Sequence, residues 1–248
     1  MSPSSFVGKA QTLREGNRII QGLWIGSELS VMERLSIVSF LRNGHEYHLY
    51  AYDELPNVPA GAIIKDANEI LPASEIFQYK DRPSYAGFAN YFRYKLLLER
   101  GGWWSDMDVV CLRPFDFAAE YIFASEASAG QIFVNNNVIK APAGSDVMAC
   151  ALRVCQTKNP EQLVWGETGP RLLTELVKKF RLDQYQEPYY VFCPITEWHK
   201  VLEPYVAAIP EGAYAVHLWN ALWQLENQDK DAKYHPDCVY EQLKAKYL

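Results

Sequence analysis

The chain has 248 residues with a formal net charge of −6, 49% hydrophobic and 22% charged residues, and no Lys/Arg block, which excludes a binder of the nucleic-acid phosphate backbone. No run of 18 apolar residues occurs and Met1–Asn17 lacks an apolar core of signal-peptide length, so the chain reads as soluble. Five cysteines without C-x-x-C spacing fit reduced thiols in the cytoplasm, and Lys244 and Lys246 offer at most a peripheral contact with the inner face of a membrane.

Residues 1–17 are small and polar and read as a flexible arm, leaving 18–248 as one domain, a size that can bury a full core. Ile19–Ile25 reads as a buried strand. Ser30-x-x-Glu33 has the form of a capping box and opens a helix to about Leu41, stopped by Asn43-Gly44. Tyr47–Tyr52 is a second strand ending at Asp53, which predicts a strand–helix–strand unit of a parallel sheet. Ligands of such sheets sit beyond the carboxyl ends of the strands, where Trp24 and Asp53 fall.

Ala62–Asp66 offers a third strand, followed by a polar connection over 67–83. Phe88, Tyr91, Phe92, Leu96, Leu97 and Leu98 recur at helical spacing between Ser84 and Arg100, and Gly101-Gly102 ends that helix. Trp103-Trp104-Ser105 then re-enters the sheet, Asp106 and Asp108 fall at the turn, and Val109–Leu112 resumes as a strand. Tyr121–Ser125 and Ile132–Val134 read as strands, and Asn135-Asn136-Asn137 as a turn, a bulge or a polar site.

Helices are predicted over Ser145–Gln156 and from Thr168-Gly169-Pro170 to about Phe180. Val191–Cys193 and Tyr214–Trp219 read as strands, and Cys238–Leu248 as a surface helix. Trp219 and Trp223, four apart, read as packing residues or sugar platforms, and Glu167 as a helix cap or an orienting carboxylate. The 14% aromatic content, with seven Trp and sixteen Tyr, suits sugars and bases as well as an α/β core.

Asp106 and Asp108 carry the chemistry. Their spacing places both on one face in extended structure, and buried carboxylates need a cation or strong donors. Such a pair suits Mg²⁺ or Mn²⁺ with positions left for diphosphate oxygens. Without an ion the two carboxylates repel and one pKa rises. Asp229-Lys230-Asp231 has the same spacing in a charged, turn-like segment and reads as solvated surface, so the lead-in from Asn90 carries the specificity.

Arg18–Gly26, Asn90-Tyr91-Phe92-Arg93-Tyr94 and Gly101-Gly102-Trp103-Trp104-Ser105-Asp106-Met107-Asp108-Val109-Val110, with looser matches at Thr168-Gly169-Pro170 and His217-Leu218-Trp219, resemble one family. It is that of the DXD-motif glycosyltransferases related to the yeast initiating α-mannosyltransferase, α-1,4-galactosyltransferases, bacterial capsular-polysaccharide transferases and large glucosylating toxins. The resemblance implies an α/β, GT-A-like (Rossmann-like) fold with a mixed, mainly parallel sheet flanked by helices. It also implies a nucleotide-diphospho-sugar donor, UDP-sugar ahead of GDP-sugar, dependence on Mn²⁺ or Mg²⁺, and retention of configuration. The implied product is a bacterial surface polysaccharide, with a glycan or lipid-linked acceptor.

Within the resemblance Asp108 looks like the direct metal ligand, and Asp106 like the residue that meets the ribose and shares the ion. Arg93 would hold the nucleotide or donor sugar, Trp24 would lie against the base, and His217 would add a metal contact. The family usually has Asp where this chain has Asn90, so donor identity turns on that amide. Retention by attack on the same face needs no protein nucleophile; Glu167 is the alternative. A carbohydrate-binding or scaffold protein on a degenerate transferase fold is the competing class. A nucleotidyltransferase or phosphohydrolase ranks third, because Gly26–Ser30 is neither Gly-rich nor basic.

Overall fold

Strand β1 (Ile19–Trp24) feeds helix α1 (Val31–Arg42), which returns into β2 (Glu46–Ala51); the computed structural model describes residues 13–205 and 208–248. Ser30 and Glu33 form the reciprocal capping box that starts α1, and the two strands pair in parallel from Ile19/Glu46 to Trp24/Ala51. β3 (Ile63–Asp66) joins β2 in parallel, and a connection with two short 3₁₀ turns leads to α2 (Ala86–Arg100). Gly101 then turns the chain at φ +65°, and an added Cβ there would lie 2.5 Å from Ala143 N, so the sharp entry into β4 (Gly102–Ser105) requires glycine.

β4 lies parallel to β1, and its side chains alternate across the sheet: Trp103 packs on one face with Ile20 and Phe115, Trp104 on the other with Phe92. The chain then leaves the main sheet. β5 (Val109–Cys111) pairs antiparallel with the late strand β8 (Ala215–His217) as a separate two-stranded ribbon, and Asp106-Met107-Asp108 is the turn between sheet and ribbon. The two carboxylates therefore do not share the face of an extended strand, as the spacing suggested; Val109 N–H bonds back to Asp106 O and closes the turn.

β6 (Ile122–Ser128) and β7 (Gln131–Ala141) complete a six-stranded sheet of order β3-β2-β1-β4-β7-β6, parallel up to β4 and antiparallel after it. This is the mixed, mainly parallel sheet flanked by helices that was expected. β7 runs unbroken through the three asparagines. Between the pairs Phe123/Ile139 and Ser125/Val134, Ala124 of β6 faces four residues of β7, Asn135 to Val138, so three residues are extra and form a wide bulge.

α3 (Asp146–Thr157) and α4 (Leu172–Lys179) cover one face of the sheet with α2, and a wide turn at Glu167–Arg171 precedes α4. Val191–Cys193, read as a strand, lies instead in a single helical turn, α5 (Tyr189–Phe192), that buries Phe192 against Phe115 and Phe117. After β8 come the short α6 (Asn220–Leu225) and α7 (Val239–Tyr247). α7 is not a free surface helix: it buries Tyr240, Leu243 and Tyr247 against α1, and Arg42 donates to Lys246 O at 2.9 Å.

The expected arm lies mostly outside the described residues, but its last part is docked. Asn17 is buried, donates to Asp116 Oδ1 and Phe117 O, and accepts from Trp103 Nε1. No helix among the described residues is long and apolar enough to cross a membrane.

Candidate active site

The turn after β4 separates its two carboxylates. Asp106 faces α2, where it pairs with Arg93 at 3.0 Å and accepts from Trp104 Nε1 at 2.7 Å. Its own N–H is fixed by Asn137 O in the bulge, and Arg93 also donates to Asn136 O. The guanidinium lies 4.9 Å from the Trp104 ring centroid, so the cation is held by a carboxylate, a carbonyl and an aromatic face together. Arg93 is thus both the ion-pair partner of Asp106 and a wall of the cavities beside it.

Asp108 faces the opposite way, toward β8 and α6. Its Oδ2 accepts from Asn220 N at 2.7 Å and lies 3.4 Å from His217 Nε2. Burial opposes both charges, but the imidazole and the Asn220 N–H hold the Asp108 carboxyl below its usual range, while Asp108 pushes His217 well above 6.5. Asp106 moves the other way: burial raises its pKa against the pull of Arg93, and Asp108 adds like-charge repulsion, although 26% of its side chain opens to the cavities. One carboxyl of the pair is raised, as expected, but burial is a larger cause of the rise than the repulsion that the spacing implied.

The donor set can be tested against a cation. Asp108 Oδ1, His217 Nδ1 and Asn220 Oδ1 are buried and have no hydrogen-bond partner. A charged oxygen left unsatisfied beside β8 and α6 costs free energy unless a cation or donor meets it. Among the described residues no three carboxylate, imidazole or thiolate side chains converge as a ready cage, since Asp106 is engaged by Arg93. The residues fit a hard divalent ion that takes Asp108, with His217 beside it, and most of its oxygens from a ligand.

Two cavities meet at this pair, and Arg93, Asp106 and Asp108 line both. The smaller, about 310 Å³, is walled by Trp24, Tyr85 and Lys230. Trp24 is oriented by donation from Nε1 to Glu28 O at 2.9 Å, and Lys230 Nζ sits 5.1 Å from its ring centroid. The larger, about 700 Å³, reaches Asn90, the bulge and Trp219. Trp219 lies 4.8 Å from the His217 ring, whereas Trp223 is fully buried against Tyr234 and Tyr240.

Asn90 belongs to a buried amide network. Asn136 Nδ2 donates to Asn90 Oδ1 at 2.6 Å, and Asn90 Nδ2 donates to Thr168 Oγ1 at 3.2 Å. Tyr94 Oη donates to Thr168 O at 2.9 Å, and an added Cβ on Gly169 would lie 3.1 Å from Asn90 Nδ2. The Thr168-Gly169-Pro170 turn therefore presses its backbone onto the two amides, which is why a residue without a side chain stands at 169.

One reading changes and another is sharpened. Glu167 is not near the carboxylates: it pairs with Lys158, accepts from Val164 N, and lines neither cavity. Asp229 and Asp231 are exposed in a turn-like segment, as expected, but the segment is tied to α1. Asp231 accepts from Val31 N at the start of α1, and Lys230 reaches the fully buried Glu33 at 2.6 Å. Asp53 lines neither cavity. Sequence reasoning missed Lys230 and Asn220 because nothing local marks them; the triple Asn was the available signal for the bulge.

Residues 29–128 match the model of the family described as the glycosyltransferase sugar-binding region containing DXD motif. Among curated proteins none matches the chain. Similar solved structures include the PaToxG glycosyltransferase, at 17% identity over 66% of this chain and 69% of that one, with a TM-score of 0.48. Another is a transferase at 13% identity, covering 79% and 97% with a TM-score of 0.44. A third is the apo-form glycosyltransferase GlyE of Streptococcus pneumoniae TIGR4, at 14% identity, covering 70% and 46% with a TM-score of 0.41. The matched region holds α1, α2 and the Asp106–Asp108 turn, and with the geometry of that turn it supports a DXD-type glycosyltransferase.

Proposed function

We propose that the protein transfers a hexose from a nucleotide-diphospho-sugar, a UDP-sugar ahead of a GDP-sugar, to a glycan or lipid-linked glycan acceptor, on a GT-A-like scaffold and with retention of configuration. The observation that carries this reading is the Asp106–Asp108 turn set between two cavities, with Asp108 Oδ1 buried and unpaired. A bacterial surface glycan is the product class to which the sequence resemblance points.

Each residue has a task in that reaction. Trp24 offers the base a planar face in the smaller cavity, and Asp106, braced by Arg93 and Trp104, keeps an exposed edge for the ribose. Arg93 supplies a fixed positive charge to the diphosphate or the donor sugar. Mn²⁺ or Mg²⁺, which Asp108 with His217 would hold, neutralises the leaving diphosphate as a Lewis acid when bound. Asn90 and Asn136 present amides to the sugar hydroxyls in the larger cavity.

The acceptor oxygen bonds to the anomeric carbon as the bond from that carbon to the diphosphate breaks. The electron pair leaves on the diphosphate oxygen, and the acceptor proton passes to that oxygen on the same face. Glu167, outside both cavities, is not the nucleophile of this scheme. The chain works by positioning and by electrostatic stabilisation of the leaving group.

The test is melting and nucleotide release with UDP-, GDP- and matched hexose donors, with and without Mn²⁺. UDP with Mn²⁺ should raise the melting temperature more than either alone. Asp108→Asn should keep the fold, abolish the Mn²⁺-dependent rise, and cut turnover on the order of 10²-fold or more. Full turnover and an intact Mn²⁺ response in that variant would sink the assignment.

A further inference from the structure

The larger cavity is more than twice the volume of the smaller and extends past the carboxylate pair to a wall that the donor reading leaves unused. That wall joins Tyr79, Phe133 and Trp165 with Glu126 and Asn135. Trp165 is held in place: its ring lies 5.2 Å from that of Tyr79, and the Arg82 guanidinium sits 4.6 Å from its centroid. A half-buried indole steadied from two sides is a rigid platform and loses little entropy on stacking.

Glu126 is placed by the bulge. It stands across the β6–β7 ladder from Phe133, and Asn135, the first extra residue, turns its amide to donate to the Glu126 carboxylate. One carboxylate oxygen is thereby tied to the protein, and the side chain lines the cavity. A carboxylate fixed next to aromatic faces matches a pyranose, whose C–H face packs on a ring and whose hydroxyls donate at its edge. A lipid tail fits this wall poorly, because Asn90, Glu126, Asn135 and Asn136 interrupt its apolar surface.

We infer that this end of the cavity is the acceptor subsite, and that it takes a saccharide, one ring stacked on Trp165 and one hydroxyl accepted by Glu126. The inference rests on the transfer reaction proposed above for its role, but not for its ligand. Because Arg93, Asp106 and Asp108 line both cavities, a diphosphate at the pair directs its sugar into the larger one, between the carboxylates and the seated acceptor. The bulge then serves both substrates, Asn136 toward the donor side and Asn135, through Glu126, toward the acceptor.

The test uses the full chain and three neutral probes, maltose, lactose and cellobiose, read by saturation-transfer-difference NMR, with the UDP–Mn²⁺ melting shift measured in parallel. Wild-type protein should saturate at least one disaccharide. Trp165→Ala should weaken that binding about tenfold and the isosteric Glu126→Gln about fivefold. Both variants should keep the UDP–Mn²⁺ shift. Circular dichroism melts establish that each is folded, and Glu126→Gln, which preserves shape, carries the test if Trp165→Ala does not fold. No saturation of any of the three by wild-type protein, or equal saturation by both variants, overturns the subsite. Saccharide binding as described without any UDP–Mn²⁺ response would leave the subsite standing and overturn the transferase reading instead.

Discussion

Asn90 stands where a carboxylate would ordinarily touch the donor sugar in the family it resembles, and the structure supplies a physical reason for the amide. Its two ends do different jobs, Oδ1 accepting from Asn136 and Nδ2 donating to Thr168. An aspartate could still accept from Asn136 but would need the Thr168 hydroxyl to turn around and donate. Asn90→Asp therefore places a buried carboxylate among neutral partners, and should cost about 1–3 kcal/mol while altering which nucleotide sugars are turned over. Unfolding in urea and a nucleotide-sugar panel check this. An unchanged donor profile would remove Asn90 from donor recognition. Asn136→Ala differs, because it strips a buried acceptor of its partner, and a loss of about 1–3 kcal/mol in the same unfolding measurement is expected.

At the scale of elements, the site is held by contacts between segments far apart in the chain. α1 is capped at one end by its own Ser30 and Glu33 and also by Asp231, while Glu33, fully buried, is neutralised by Lys230. The second D-x-D is thus a clip that fastens the segment after α6 to the first helix and sets Lys230 beside Trp24. Removing one partner of a buried pair strands the other charge, so Lys230→Met should cost about 3–5 kcal/mol. The double variant Glu33→Gln with Lys230→Met, which strands nothing, should recover most of that. Chemical denaturation of the single and double variants measures both. A single variant as stable as wild type would show that the pair is not buried in solution.

Over the whole molecule, His45 couples folding to pH. Its Nδ1 donates to Asn17 O at 3.0 Å and its Nε2 accepts from Phe115 N at 2.9 Å, so the neutral ring ties the segment before β1 to the chain after β5. Burial pushes its pKa from 6.5 down to about 4. A depressed pKa gives stability that is fully present above 6.5 and lost as pH falls toward about 4, because the unfolded chain takes the proton first. The loss should reach about 3 kcal/mol across that window. Urea midpoints between pH 7 and pH 4 in wild type and His45→Gln should diverge at pH 7 and converge at pH 4. Parallel curves would mean that other groups set the acid limb.

What the sequence determined by itself was local. The capping box at Ser30–Glu33, the helix ended by Gly101, the alternation of Trp103 and Trp104, and the Asp106–Asp108 turn with Arg93 one helix earlier all lie within short stretches whose periodicity and stereochemistry constrain them. Tertiary structure decided the rest. Sequence could place Asp106-Met107-Asp108 at a turn but not say where the chain goes next, because β5 leaves the main sheet only to meet β8, a partner more than a hundred residues away. The asparagines form a bulge because β4 and β6, on either side of β7, fix its ends in registers that leave three residues over. Lys230 and Asp231 become structural only when folding brings them to the start of α1, and Glu167 leaves the site because its turn carries it to the surface. Hydrogen bonds along a helix or turn are written in neighbouring residues, whereas register and burial depend on which distant segments share one core.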